Sequence, residues 1–175
     1  MLVIISDLHL GDGTTADTIS PSAFRLFARR LTETARFASL RRDGGYSPIS
    51  SLDVLLMGDI LDPLHSTRWL DTSSSDSAYI RPWSDPSNPN YAPKLLEVTR
   101  AILEHNDEAF QVLRRLASGE AIHLAPATSK GEADFQSKEQ LPLNVRFHYM
   151  VGNHDWYYHL QGEAFDGGII AKYFS

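Results

Sequence analysis

The chain of 175 residues is the size of one domain, and its 42% hydrophobic and 22% charged residues are the proportions of an ordinary globular protein. Its formal net charge of −6 argues against a surface built chiefly to hold nucleic acid or anionic membrane, because phosphate-backbone binding draws on clustered Lys and Arg. There is no cysteine, so disulfides and thiolate metal sites are excluded, and any metal must be held by His, Asp, Glu or Asn.

The opening segment, "MLVIISDLHL", lacks a basic n-region, and its apolar run stops at Asp7, so it does not read as a signal peptide. No stretch of about 18 uninterrupted apolar residues follows anywhere. The expectation is a cytoplasmic protein without a membrane span. Residues 2–5, rich in β-branched side chains, predict a strand buried on both faces. Ser20-Pro21 then reads as a cap with Pro at the first helical position. Phe24, Phe27, Leu31, Ala35 and Ala38 recur at helical spacing, predicting a helix that ends near Asp43-Gly44-Gly45. A second apolar strand, 53–57, runs into Gly58-Asp59.

Residues 66–93 shift to Ser, Asp, Pro and Asn, with Trp69, Tyr79, Trp83 and Tyr91 among them. Such a stretch is too long for an ordinary connection, and its aromatics favour a covering loop over disorder. One amphipathic helix is expected over 94–117, with Leu95, Ile102, Ala109, Val112 and Leu116 along one stripe. Residues 118–142 are again irregular, apart from a brief strand at 121–125. The third strand, 144–151, delivers Gly152-Asn153-His154-Asp155. The whole reads as one domain over 1–175 with loop insertions at about 66–93 and 118–142.

Each strand ends in a cluster of metal-capable residues: Asp7-x-His9, Gly58-Asp59-x-x-Asp62 and Gly152-Asn153-His154-Asp155. In a parallel sheet the C-terminal strand ends share one edge, where ligand sites form. Divalent cations take carboxylate oxygen and imidazole nitrogen, and two of them sharing a carboxylate sit about 3.5–4 Å apart. Asp7 and His9 can reach one ion, Asp59 is the natural bridge, and Asn153 offers a neutral oxygen to a second. The glycines before Asp59 and Asn153 let the backbone turn sharply. Taken singly, each cluster reads equally as a turn or a helix cap. Their order, each directly after an apolar strand, points to a shared metal site.

The stretches "SDLHLG", "GDILD" and "GNHD" resemble the motifs of the calcineurin-like metallophosphoesterase superfamily, and the resemblance runs from the first strand to about residue 160. It implies a four-layer α/β/β/α sandwich with a dinuclear centre of manganese, iron, zinc or nickel. Asp7 and His9 would hold the first ion, Asp59 would bridge, and Asn153 would hold the second. His154 would lie near the leaving-group oxygen with Asp62 orienting its imidazole, and Asp155 would have a supporting role. The implied activity is hydrolysis of a small-molecule phosphoester, as a phosphodiesterase or phosphomonoesterase. Three alternatives stand beside it: a DNA-repair-type nuclease of the same superfamily, which the acidic charge disfavours; a lipid-precursor pyrophosphatase with the loop aromatics as an apolar lid; and a catalytically inactive domain used for protein association.

The chain departs from the family in one respect. Members carry later histidines, including a Gly-His-x-His motif, whereas here His159 alone follows the third cluster. The expectation is therefore the front portion of such a domain, with a weak second metal. An incomplete second sheet would leave apolar surface open to self-association.

Overall fold

The chain, seen in a computed structural model that describes residues 1–16 and 19–160, alternates strands with helices. In order these are β1 (Leu2–Ile5), α1 (Pro21–Ala38), β2 (Ser51–Met57), two 3-10 turns (Pro63–His65 and Thr67–Leu70), α2 (Tyr91–His105), α3 (Asp107–Ala117), β3 (His123–Leu124), β4 (Leu141–Pro142), β5 (Asn144–Met150) and α4 (Tyr157–Leu160). β1, β2 and β5 form a parallel sheet with β2 in the centre, while β3 and β4 form a separate antiparallel pair. The fold is thus mixed α/β, with a three-stranded parallel sheet and four α-helices among the described residues. The terminal "GGIIAKYFS", expected not to complete a second sheet layer, lies outside the described residues.

Register explains why the site forms. Ile5 pairs with Leu56, and Leu56 with Tyr149, so all three strands reach the same edge together. The buried face of the sheet carries Leu52, Val54, Leu56 and Val145, which share one core cluster with Leu95 and Ile102 of α2, Phe110 and Leu113 of α3, and Phe24 and Leu31 of α1.

The first strand is not buried on both faces. Leu2 and Ile4 are 60% and 52% exposed, with Met57 and Met150 open beside them, because the helices pack on the other side of the sheet. In the middle of this open face Asp53 accepts two bonds of 2.9 Å from the Arg146 guanidinium and meets His148 Nε2 at 2.8 Å.

Helix α1 starts as expected, with Ser20 Oγ accepting the Ser22 N–H at 3.3 Å. It stops at Ala38, before Asp43, and the Ser39 hydroxyl that follows donates to Ala35 O at 2.8 Å and accepts the Ile49 N–H, tying the helix end to the next segment. The single helix expected over 94–117 is two. Asn106 breaks it, its amide donating to Ile102 O at 2.7 Å and to Gly11 O at 2.8 Å, and Asp107 and Glu108 favour a new helix start. Both helices bury the same stripe, so the apolar pattern runs through the break.

Of the loop expected over 66–93, residues 66–90 form a chain of turns laid on the core, and 91–93 already belong to α2. Trp69 is buried with its Nε1–H on Pro63 O at 2.6 Å, Tyr91 is buried with its hydroxyl on Pro82 O at 2.9 Å, and Arg81 ties the carbonyls of Trp69, Ile80 and Thr72. Trp83 alone of the four aromatics is wholly outside, 78% exposed. No helix of the described residues is long and apolar enough to cross a membrane.

Candidate metal centre

β1 and β2 stay side by side after their strand pairing ends. Asp7 N–H donates to Gly58 O at 3.3 Å, His9 N–H to Asp59 O at 2.9 Å, and Asp62 N–H to Leu10 O at 2.9 Å. β5 joins them through Gly58 N–H on Met150 O at 3.0 Å and through the His154 N–H on Asp59 Oδ1 at 2.8 Å. The three polar clusters are therefore held over one edge by backbone hydrogen bonds.

Holding them there strains the chain. Among the described residues the non-glycine positions with left-handed backbone are Asp7 (φ 56°), His9 (φ 45°) and Asp59 (φ 53°). An L residue pays roughly 1–2 kcal/mol for that conformation, and such strain concentrates at ligand sites. Two glycines permit the close approach. A Cβ on Gly58, itself at φ 76°, would lie 2.8 Å from Gly152 Cα, and a Cβ on Gly152 would run into the Asp59 carboxylate.

Ligand atoms of Asp7, His9 and Asp59 lie within 4.8 Å of one another, as do those of His9, Asp62 and His154. Carboxylate oxygens and imidazole nitrogens are the donors that divalent first-row cations accept, so these residues fit such an ion. Asn153 sits exposed in the turn between Gly152 and His154.

Asp62 is the hub of the site. Its side chain is only 3% exposed. Its Oδ2 meets Nδ1 of His65 at 2.7 Å, of His9 at 3.1 Å and of His154 at 3.1 Å, and its Oδ1 accepts the His65 N–H at 3.3 Å. Burial alone would push this carboxyl up, but the hydrogen bonds from His65 and His9 outweigh it and hold Asp62 below the ordinary carboxylate value. An ionised carboxylate only accepts, so each Nδ1 carries the proton and each ring keeps Nε2 free. A carboxylate on the far nitrogen is the usual support of a metal-binding imidazole, and His9 beside Asp7 and Asp59 has it. The His9 and His154 rings meet edge to face at 4.5 Å between centroids.

Two buried carboxylates brace the surrounding loops. Asp155, fully buried, accepts the Ile60 N–H at 2.9 Å, the Tyr149 hydroxyl at 2.6 Å and the Gly152 N–H at 2.5 Å, so it fixes the turn that presents His154. Asp12 accepts the Ser66 hydroxyl at 2.5 Å, the Thr14 hydroxyl at 2.6 Å and Arg68 Nε at 3.2 Å, tying the loop after β1 to the loop after β2. Over the cluster opens a cavity of about 680 Å³ whose walls include His9, Thr15, Asp62, His65 and His154. Trp69, Tyr79, Trp83 and Tyr91 are not among its described lining residues. Trp69 is held on Pro63 O, one residue from Asp62, and Tyr91 on Pro82 O.

His65 is the site residue that the motifs do not single out. Its signal is the Asp62-x-x-His65 spacing, which one helical turn brings together. Set against protein-family models, curated proteins and solved structures, the chain matches none.

Proposed function

We propose that the chain is a metal-dependent phosphoester hydrolase of the calcineurin-like type, acting on a small-molecule phosphomonoester or phosphodiester. The observation that carries this reading is the convergence of Asp7, His9 and Asp59 from two strand ends, in strained backbone, with ligand atoms within 4.8 Å of one another. The hydrogen bond between Asp62 and His154 beside them supports it. In this reading Asp7 and His9 would hold one cation, Asp59 would be shared with a second, and Asn153 would contribute to that second one, the ions being manganese, iron, zinc or nickel. The three-stranded sheet and its helices would then belong to one half of a four-layer α/β/β/α sandwich.

When bound, divalent cations lower the pKa of water and offset charge on the phosphoryl oxygens. The chain's own side chains supply the rest. Asp62 holds His154 by Nδ1, so Nε2 is the nitrogen that can face a leaving group. As water adds to phosphorus, the P–O ester bond breaks with its electron pair on the ester oxygen; His154, entering the step with a second proton on Nε2 beside the Nδ1–H held by Asp62, gives up that Nε2 proton to the oxygen and is left a neutral imidazole. Proton transfer of this kind contributes about 10²–10⁴-fold.

Assaying the purified chain on phosphomonoesters and phosphodiesters with manganese added tests the reading. The expected result is turnover that chelation removes and Asp59→Asn abolishes. Manganese-loaded protein that cleaves neither ester class contradicts it.

A further inference from the structure

Asp62 turns three imidazoles the same way, each with Nδ1 on the carboxylate. In the proposed hydrolase His9 and His154 have tasks for their free Nε2 atoms, the first at a cation and the second at the leaving oxygen. His65 has none, yet its bond to Asp62 is the shortest of the three at 2.7 Å. It is also the most open, with 65% of its side chain exposed against 38% for His9 and 25% for His154. Its ring lies 5.6 Å from that of His154, centroid to centroid, and both rings line the same cavity. A purely structural histidine would not need its second nitrogen at a cavity mouth.

We infer that His65 is a substrate-binding residue, whose ring, with Nδ1–H on Asp62 and a second proton on Nε2, donates Nε2–H to a non-bridging phosphoryl oxygen and thereby favours phosphomonoesters over phosphodiesters. This rests on the phosphoester reading given above. The chemistry of the two ester classes supplies the preference. A monoester presents three non-bridging oxygens, so one would remain for His65 beside those that bound cations would engage, and its extra negative charge strengthens the hydrogen bond it accepts from the doubly protonated ring. A diester has one of those oxygens esterified, which removes an acceptor and adds bulk beside the exposed ring. His65 can make this contact without disturbing the rest of the site, because its backbone and Nδ1 are both fixed on Asp62.

The test uses p-nitrophenyl phosphate and bis(p-nitrophenyl) phosphate, which share one leaving group and differ in the number of free phosphoryl oxygens. Wild type, His65→Ala and His65→Asn are compared with manganese, and binding of inorganic phosphate to each is followed by calorimetry. The expected result in His65→Ala is a monoester KM roughly tenfold higher with kcat little changed, as for loss of one hydrogen bond to a charged group. The monoester-over-diester preference falls by a similar factor, phosphate affinity weakens in parallel, metal content stays at the wild-type level, and His65→Asn recovers part of the loss. Equal losses on the two esters, or a fall in kcat at constant KM, would assign His65 the structural task of holding Asp62 and overturn the inference. If wild type cleaves neither ester, the hydrolase reading fails by itself, and phosphate affinity still judges His65: a value unchanged in His65→Ala sinks its role.

Discussion

The backbone N–H of His154 donates to Oδ1 of Asp59 at 2.8 Å, so the turn after β5 and the carboxylate at the end of β2 are positioned as one unit. Substituting the two residues should nevertheless have different consequences. Asp59→Asn keeps an acceptor oxygen for that N–H but removes the charge that attracts a cation, and it should cost the chain most of its manganese and nearly all turnover. His154→Ala keeps the backbone bond and should retain metal while kcat falls about 10²–10⁴-fold. Metal analysis of the two variants beside steady-state kinetics separates them. Equal metal loss in both would place His154 among the ligands.

Gly152 is required by contact. A Cβ there meets the Asp59 carboxylate and lies 2.5 Å from the Asp59 nitrogen, both part of the same strand-end turn. Gly152→Ala should destabilise the fold by about 1–3 kcal/mol, as overpacking does, and displace Asp59 enough to weaken manganese binding. Chemical denaturation with a metal titration checks both. Wild-type stability and affinity in the variant would show that the turn yields freely.

Asp155 serves three donors inside the protein. Removing it in Asp155→Ala strands the Ile60 and Gly152 N–H groups, each such orphan costing roughly 1–3 kcal/mol. Tyr149→Phe removes a donor and leaves two others in place, so it should lose only about 1 kcal/mol. Urea midpoints of the two variants give the comparison, and a Tyr149→Phe loss as large as that of Asp155→Ala would contradict it.

Asp12 predicts an acid limit to stability. Burial alone would raise its pKa, but hydrogen bonds from Ser66 and Thr14 and the charge of Arg68 outweigh that and lower it. The folded carboxyl therefore releases its proton more readily than the unfolded one. Its contribution is present above the unfolded carboxylate pKa of about 4 and is lost as pH falls through the lower folded value. Thermal melts from neutral pH down to about pH 3 should show a steeper acid loss in wild type than in Asp12→Asn. Parallel curves would count against this assignment.

The strand ends were legible in the sequence because each is an apolar run meeting a polar cluster, and a parallel register needs nothing more to bring Asp7 and Asp59 to one edge. The break at Asn106 was hidden because its cause is a hydrogen bond to Gly11 O, distant in the chain, while the apolar stripe continues across it. The exposure of Leu2 and Ile4 was hidden for a related reason: β-branched composition reports strand preference, and only the packing of the helices decides which face they cover. His65 escaped notice because its assignment depends on sharing the Asp62 carboxylate with two histidines from other loops. Trp69 is buried and Trp83 open, a difference that composition alone does not carry.

Calorimetric titration of manganese into the wild-type chain and into Asp7→Asn and Asp59→Asn tests the central claim most directly. The account predicts one firmly bound ion in wild type, held by Asp7, His9 and Asp59. It also predicts a second, weaker one, because Asp59 and Asn153 supply only part of the roughly four or more donors that such cations take. Asp7→Asn should lose the firm site and Asp59→Asn should lose both. Absence of manganese binding in wild type, or binding unchanged in the two variants, would contradict it.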